Sequence, residues 1–230
     1  MRTLPRWAIA LLSTVLVITI PIILVATPLY FYVRPGYVEA QYARPGFPPA
    51  SRFNPAERIR LSEPILRYLR GQVSVEELAA TRTDSGEVAL LPDEVQHLVD
   101  VRQVMDGFFV AHAVACVLAL AACVLLWRSA PRPQMPRLLR RGVWLALGLM
   151  GLVLVSSLLD FDAFFTRFHQ IFFSEGSWVF YEEDTLIQLY PLPFWVDAVL
   201  RYTLTILAEA AAALALAWGL ERHLSREVTP

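Results

Sequence analysis

Four stretches of the chain are almost wholly apolar, at positions 7–33, 108–127, 142–159 and 195–219. A helix rises 1.5 Å per residue and a bilayer's hydrocarbon core is roughly 30 Å thick, so each has about the length of a membrane-crossing helix. The third is slightly short. The pattern predicts an all-α membrane protein with four transmembrane helices and a small, mostly helical extracytoplasmic cap. Residues 1–33 read as a cytoplasmic N-terminus and first transmembrane helix, 34–106 as the cap, and 107–230 as three further helices. Between those helices fall a cytoplasmic Arg-rich loop at 128–141 and an extracytoplasmic aromatic loop at 160–195.

The first apolar run exceeds the ~7–15-residue core of a signal peptide and reads as a retained span, kinked by Pro21 and Pro28 near its outer end. Within the cap, RPGYVEAQYARPGFPP (34–49) is expected to be extended. Asn54 before Pro55 predicts a helix start, and Ser74 with Glu77 has capping-box spacing. Asp84-Ser85-Gly86 predicts a turn. Pro92 opens one long helix that carries Asp93, Glu94, His97, Asp100 and Arg102 before entering the second span.

Charge sets the orientation. Arg128, Arg132, Arg137, Arg140 and Arg141 lie in a short segment without an acidic residue, and Arg2, Arg6, Arg222 and Arg226 flank the outer two spans. The positive-inside rule makes all of these cytoplasmic, while a segment as long as 34–106 is largely exempt from it. His97 and His169 then fall on the outer face, near the membrane. The formal net charge of −1 offers no basic field for nucleic acid. Cys116 and Cys123, seven apart on one helix, are too far separated for a disulfide.

The aromatic loop packs Phe161, Phe164, Phe165, Phe168, Phe172 and Phe173 around His169, followed by Trp178, Phe180, Tyr181 and the acidic Glu182, Glu183 and Asp184. Rings this dense between two spans suit a membrane–water interface. His97 has Asp93, Glu94 and Asp100 one helical turn away, and a neighbouring carboxylate can orient an imidazole and raise its basicity. Two histidines can divide acyl transfer, one removing a proton and the other stabilising an oxyanion. Elsewhere, His112 is expected to bond a neighbouring helix and Asp197–Arg201 to be a structural pair. Glu209, near mid-bilayer, is expected to be protonated or bonded between helices. The chain lacks G-x-S-x-G, H-E-x-x-H and a phosphate loop, so a nucleophile would arrive with the substrate. Two rivals are a metal-dependent membrane hydrolase, with Asp100, Asp160, Asp162 or Asp184 joining the histidines as ligands, and a non-catalytic scaffold.

EVQHLVDVRQV (94–104), FHQIFF (168–173) and DTLIQLYP (184–191), with four spans and an outer cap, resemble the bacterial lipoprotein intramolecular transacylases and their wider membrane-protein family. The resemblance implies an acyltransferase that moves an acyl chain from the diacylglyceryl group of a lipoprotein's N-terminal cysteine to that cysteine's own α-amine, giving the lyso form. It implies a catalytic dyad at His97 and His169, with Asp100, Arg102 and Asp184 lying in the matching blocks; together with Glu94 and Trp178 these are the candidates for supporting the site or binding substrate. It implies no metal and no cofactor. The partners would be a membrane-anchored diacylated lipoprotein and the bilayer, and the chain would act as a monomer. It departs from the family at Leu98, where Met is more usual, and at Arg102, where Lys is.

Overall fold

The computed structural model describes residues 4–129 and 134–226. Arg2 and Arg132, both used above to orient the chain, lie outside the described residues. Ten helices follow in order: α1 (Arg6–Ala26), α2 (Leu29–Tyr32), α3 (Pro35–Tyr42), α4 (Pro55–Leu69), α5 (Val75–Ala79), α6 (Pro92–Ser129), α7 (Gln134–Leu159), α8 (Phe161–Phe172), α9 (Thr185–Leu189) and α10 (Leu192–Arg226). Four segments are long and apolar enough to cross a bilayer: Arg6–Tyr32, α6, α7 and α10. The chain is a membrane protein. Among the described residues the sole β pairing is an isolated bridge between Arg82 and Val88.

The chain divides into two compact units, the first comprising Met1–Pro28, Phe108–Val155 and Tyr202–Pro230. Its core is small and aliphatic, with Leu16 and Ile20 of α1, Ala119, Ala122 and Leu126 of α6, Leu138 and Val143 of α7, and Ala210 of α10. The larger apolar side chains point outward: Val117, Leu120, Leu152 and Leu216 are each 67% exposed. That inversion suits lipid and would be an aggregation surface in water. Gly142 lets α7 approach α1, since a Cβ there would come within 2.6 Å of Ile20 Cδ1. Thr27 Oγ1 lies 3.1 Å from His112 Nε2, the cross-helix bond expected of that histidine. Arg140 and Glu221 tie α7 to α10. Glu209 keeps Oε2 buried without a hydrogen-bond partner.

The second unit comprises Leu29–Gly107 and Ser156–Arg201. Its core gathers Leu61, Ile65 and Leu66 of α4, Leu78 of α5, Leu98 of α6, Leu186 and Leu189 of α9, and Phe194 of α10. Local chemistry sets the helix starts. Asn54 Oδ1 accepts from the Glu57 amide at 2.9 Å, with Pro55 in the first position. Ser74 Oγ accepts from Glu77. Gly86, at φ +87°, makes the turn after Asp84.

Three expectations are corrected. The segment 34–49 is not extended throughout, because α3 occupies Pro35–Tyr42. Proline at the first helical position loses no hydrogen bond, Arg34 before it takes the extended backbone a following proline favours, and burial of Tyr37, Val38 and Gln41 holds the helix in place. Helix α7 begins at Gln134, not Gly142. Its arginines read as loop in the sequence, yet Pro136 sits in the first turn, where proline is tolerated. Helix α10 likewise starts at Leu192.

Asp197 anchors a polar network in the second unit. Its Oδ2 accepts from Gln41 Nε2 and Arg201 Nε, both at 2.5 Å, and its Oδ1 meets Arg44 Nη1 at 2.8 Å. The expected Asp197–Arg201 pair is therefore part of a larger cluster.

Candidate active site

Helix α6 has 38 residues, roughly 57 Å of helix, nearly twice what a bilayer core requires. Its apolar part begins at Phe108, so the polar opening turns that carry Glu94 and His97 project beyond the apolar span. Helix α8 presents Phe161, Phe164, Phe165, Phe168 and Phe172 at helical spacing, and His169 lies among them. Asp160 Oδ1 starts this helix by accepting from the Ala163 amide at 2.9 Å. Both histidines belong to the second unit.

The rings of His97 and His169 face each other, their centroids 6.2 Å apart and their planes 23° from parallel. Phe173 touches both, at 5.0 Å from His97 and 5.5 Å from His169. Phe180 lies 5.4 Å from His97, while Phe165 and Trp178 lie 4.0 and 4.8 Å from His169. Phe165, Phe173 and Phe180 thus wall the pair, a role their positions in an aromatic-rich stretch did not single out.

The two imidazoles differ in their partners. His169 Nδ1 bonds the backbone oxygen of Phe165 at 2.8 Å. An oxygen acceptor requires the hydrogen on Nδ1, so Nε2 of the neutral ring keeps its lone pair. His97 Nδ1 is buried without a partner. Burial lowers the His97 pKa to about 4, helped by the neighbouring His169 and opposed by Asp100. Burial also lowers that of His169, against the Phe165 bond. Both rings are therefore neutral at pH 7, and a neutral ring can accept a proton.

The carboxylates do not orient His97 as their spacing suggested. Glu94 is fully buried and spends both oxygens on backbone: Oε2 accepts from Leu91 N at 2.7 Å and Oε1 from Leu186 N at 2.6 Å. It fastens the start of α6 to α9, and burial raises its pKa against those two bonds. Asp100 accepts from Gln96. Asp184 Oδ2 accepts from Tyr181 N at 2.7 Å and closes the turn before α9. Arg102 stacks over Tyr68 at 4.8 Å and approaches Gly71, where a Cβ would come within 3.2 Å of its Nη2. Among the described residues no three His, Cys, Asp or Glu side chains gather in a metal-ligating group.

A sequence model of the family described as lipoprotein intramolecular transacylase Lit matches residues 11–195. An Aquifex aeolicus (strain VF5) protein, described only as uncharacterized, is 29% identical over 191 residues, covering 83% of this chain and 85% of its own. Among solved structures, the membrane integral lipoprotein intramolecular transacylase Lit from Bacillus cereus aligns over 97% of this chain and 98% of its own, with a TM-score of 0.69 at 18% identity. A variant of that protein with one histidine replaced by alanine aligns over 96% of this chain and 94% of its own, with a TM-score of 0.68 at 17% identity. The chain belongs to the lipoprotein intramolecular transacylase family, and with it to the acyltransferases.

Proposed function

We propose that this member of the transacylase family moves an acyl chain from the diacylglyceryl group of a lipoprotein's N-terminal cysteine to that cysteine's α-amine, using His97 and His169. The observation that carries this reading is the facing pair itself, 6.2 Å apart in an aromatic box, with one ring held as the lone-pair tautomer by Phe165. His169 Nε2 takes a proton from the amine as it attacks the ester carbonyl. His97 polarises that carbonyl. The tetrahedral species collapses, the acyl C–O bond breaks, and His169 returns the proton to the glyceryl oxygen. Amine and ester arrive on one molecule, which can supply several kcal/mol through proximity alone. Neutral bases in an apolar box suit a neutral amine that must lose a proton only as it reacts.

The remaining site residues act through position. Glu94 holds the start of α6 against α9, Asp184 shapes the turn leading into α9, and Arg102 braces α6 on Tyr68. Asp100 contributes its charge beside His97. The site faces the outer side of the membrane with both termini cytoplasmic, a topology supported by Arg128, Arg137, Arg140 and Arg141 around the junction of α6 and α7.

Expression in a bacterium that makes diacyl lipoproteins, followed by tandem mass spectrometry of an N-terminal lipopeptide, tests this. Transfer leaves the total mass unchanged and moves one acyl chain onto the amine. Loss of the shifted fragment in His169→Gln, at normal membrane yield, is the expected result. Persistent transfer in that variant would remove His169 from the chemistry.

A further inference from the structure

Two polar atoms in the aromatic box are buried and have no hydrogen-bond partner, His97 Nδ1 and Trp178 Nε1. The large majority of buried side-chain polar atoms in folded proteins are partnered, so an orphan beside reacting groups points to a partner from elsewhere. The indole is the sharper case. An imidazole nitrogen can donate or accept according to its tautomer, whereas an indole N–H only donates and does not titrate in water. No described group accepts from it.

Its position gives that acceptor a meaning. The indole stands 4.8 Å from the ring of His169, its plane tilted 34°. The backbone brings it there by a tight reversal after α8. Gly176 takes φ +83°, a conformation that L side chains rarely adopt, and Ser177 bonds back to the Ser174 oxygen through both its amide and its hydroxyl. Trp178 thereby returns to the residue nine positions before it.

We propose that the Trp178 indole N–H donates to the carbonyl oxygen of the substrate's ester and to the oxyanion that this oxygen becomes. Trp178 is then a catalytic residue of the same reaction, an assignment that rests on the two-histidine reading above. As the amine nitrogen bonds to the acyl carbon, the carbonyl π electrons move to oxygen and one amine proton passes to His169 Nε2. The indole holds the oxyanion without giving up its own proton. On collapse the electrons return, the bond from acyl carbon to glyceryl oxygen breaks, and the His169 proton completes the new glyceryl hydroxyl. A neutral donor fits a phenylalanine-lined box, where a cationic one would carry a large desolvation cost.

The test replaces the indole N–H by sulfur through incorporation of 3-benzothienylalanine at position 178, which keeps the bicyclic shape. Trp178→Phe, which also shrinks the ring, is a second variant. Each is assayed on a diacyl lipopeptide by mass spectrometry, with the thermal midpoint measured in parallel. The expected result is a fall in kcat of about 10²–10³, the usual effect of losing one oxyanion donor, with KM and midpoint nearly unchanged. A benzothienyl protein with kcat within about twofold of the native chain overturns the role of the indole. If His169→Gln abolishes transfer while the benzothienyl protein stays fully active, the indole proposal alone falls. Full activity of His169→Gln, or no transfer by the native chain, takes the histidine reading down with it.

Discussion

His169 Nδ1 and the Phe165 backbone oxygen, one helical turn apart, share a 2.8 Å hydrogen bond. That bond decides which nitrogen can act as a base. Selective ¹⁵N labelling of histidine in the purified protein is expected to show His169 as the Nδ1–H tautomer at neutral pH. A resonance pattern for Nε2–H would leave Nε2 already carrying a hydrogen, unable to take the amine proton, and would reverse the assignment of roles.

Depressed histidines give a pH dependence of definite sign. The unfolded chain protonates His97 near 6.5, the folded one only near 4. Between those values the unfolded state binds more protons, so stability is fully present above about 6.5 and is lost as pH falls toward 4. Activity follows the same direction. The attacking amine must be unprotonated and has an ordinary pKa of about 8, so the transfer rate is expected to fall as pH drops below that value, with a further loss toward pH 4 as His97 takes up a proton. A limb centred on the ordinary imidazole value would mean that the box is wetter than its phenylalanines suggest.

Glu94 offers a sharper structural test. Glutamine at this position keeps one oxygen acceptor and turns an N–H toward a backbone amide that needs an acceptor. Glu94→Gln is expected to lower stability by about 1–3 kcal/mol, the cost of an unsatisfied buried group. Thermal unfolding in detergent measures it. Transfer should weaken with it, since the start of α6 carries His97. An unchanged midpoint would show that the Leu91 and Leu186 amides find other acceptors.

Gly142 and Ile20 test the packing of the first unit. A Cβ on Gly142 would lie 2.6 Å from Ile20 Cδ1 and 2.7 Å from its Cβ. Gly142→Ala is expected to cost about 1–3 kcal/mol through overpacking. Ile20→Ala removes the Cδ1 and Cγ1 contacts, so the double variant should recover part of the loss in a mutant cycle. Strict additivity of the two changes would contradict the close approach.

Much of this architecture is legible in the chain because its signals are local. The four apolar runs, the Asn54 and Ser74 caps and the Asp84–Gly86 turn each depend on a few consecutive residues. The role of Glu94 does not. Helical spacing puts it one turn from His97, but its acceptor work is with Leu186, 92 positions away, and no periodicity reports such a partner. Helix α3 was hidden for a related reason: a Pro-Gly opening looks like loop until burial of Tyr37, Val38 and Gln41 is known. The two blocks that carry the histidines were visible as resemblance, whereas the facing of their rings is a tertiary fact.

Gln188 shows how the loop between Trp178 and α9 is fastened. Its Oε1 accepts from the amides of Ser51 and Arg52 and from the Ser51 hydroxyl, and its Nε2 donates to the Glu182 oxygen at 2.5 Å. None of the four contacts is an ion pair. The exposed Arg60–Asp84 bridge will fade as salt rises, because counterions screen it over roughly 8 Å at physiological ionic strength. The Gln188 clasp has no charge to screen. A face meeting fresh water one hour and brine the next would lose its surface ion pairs and keep the loop where it is.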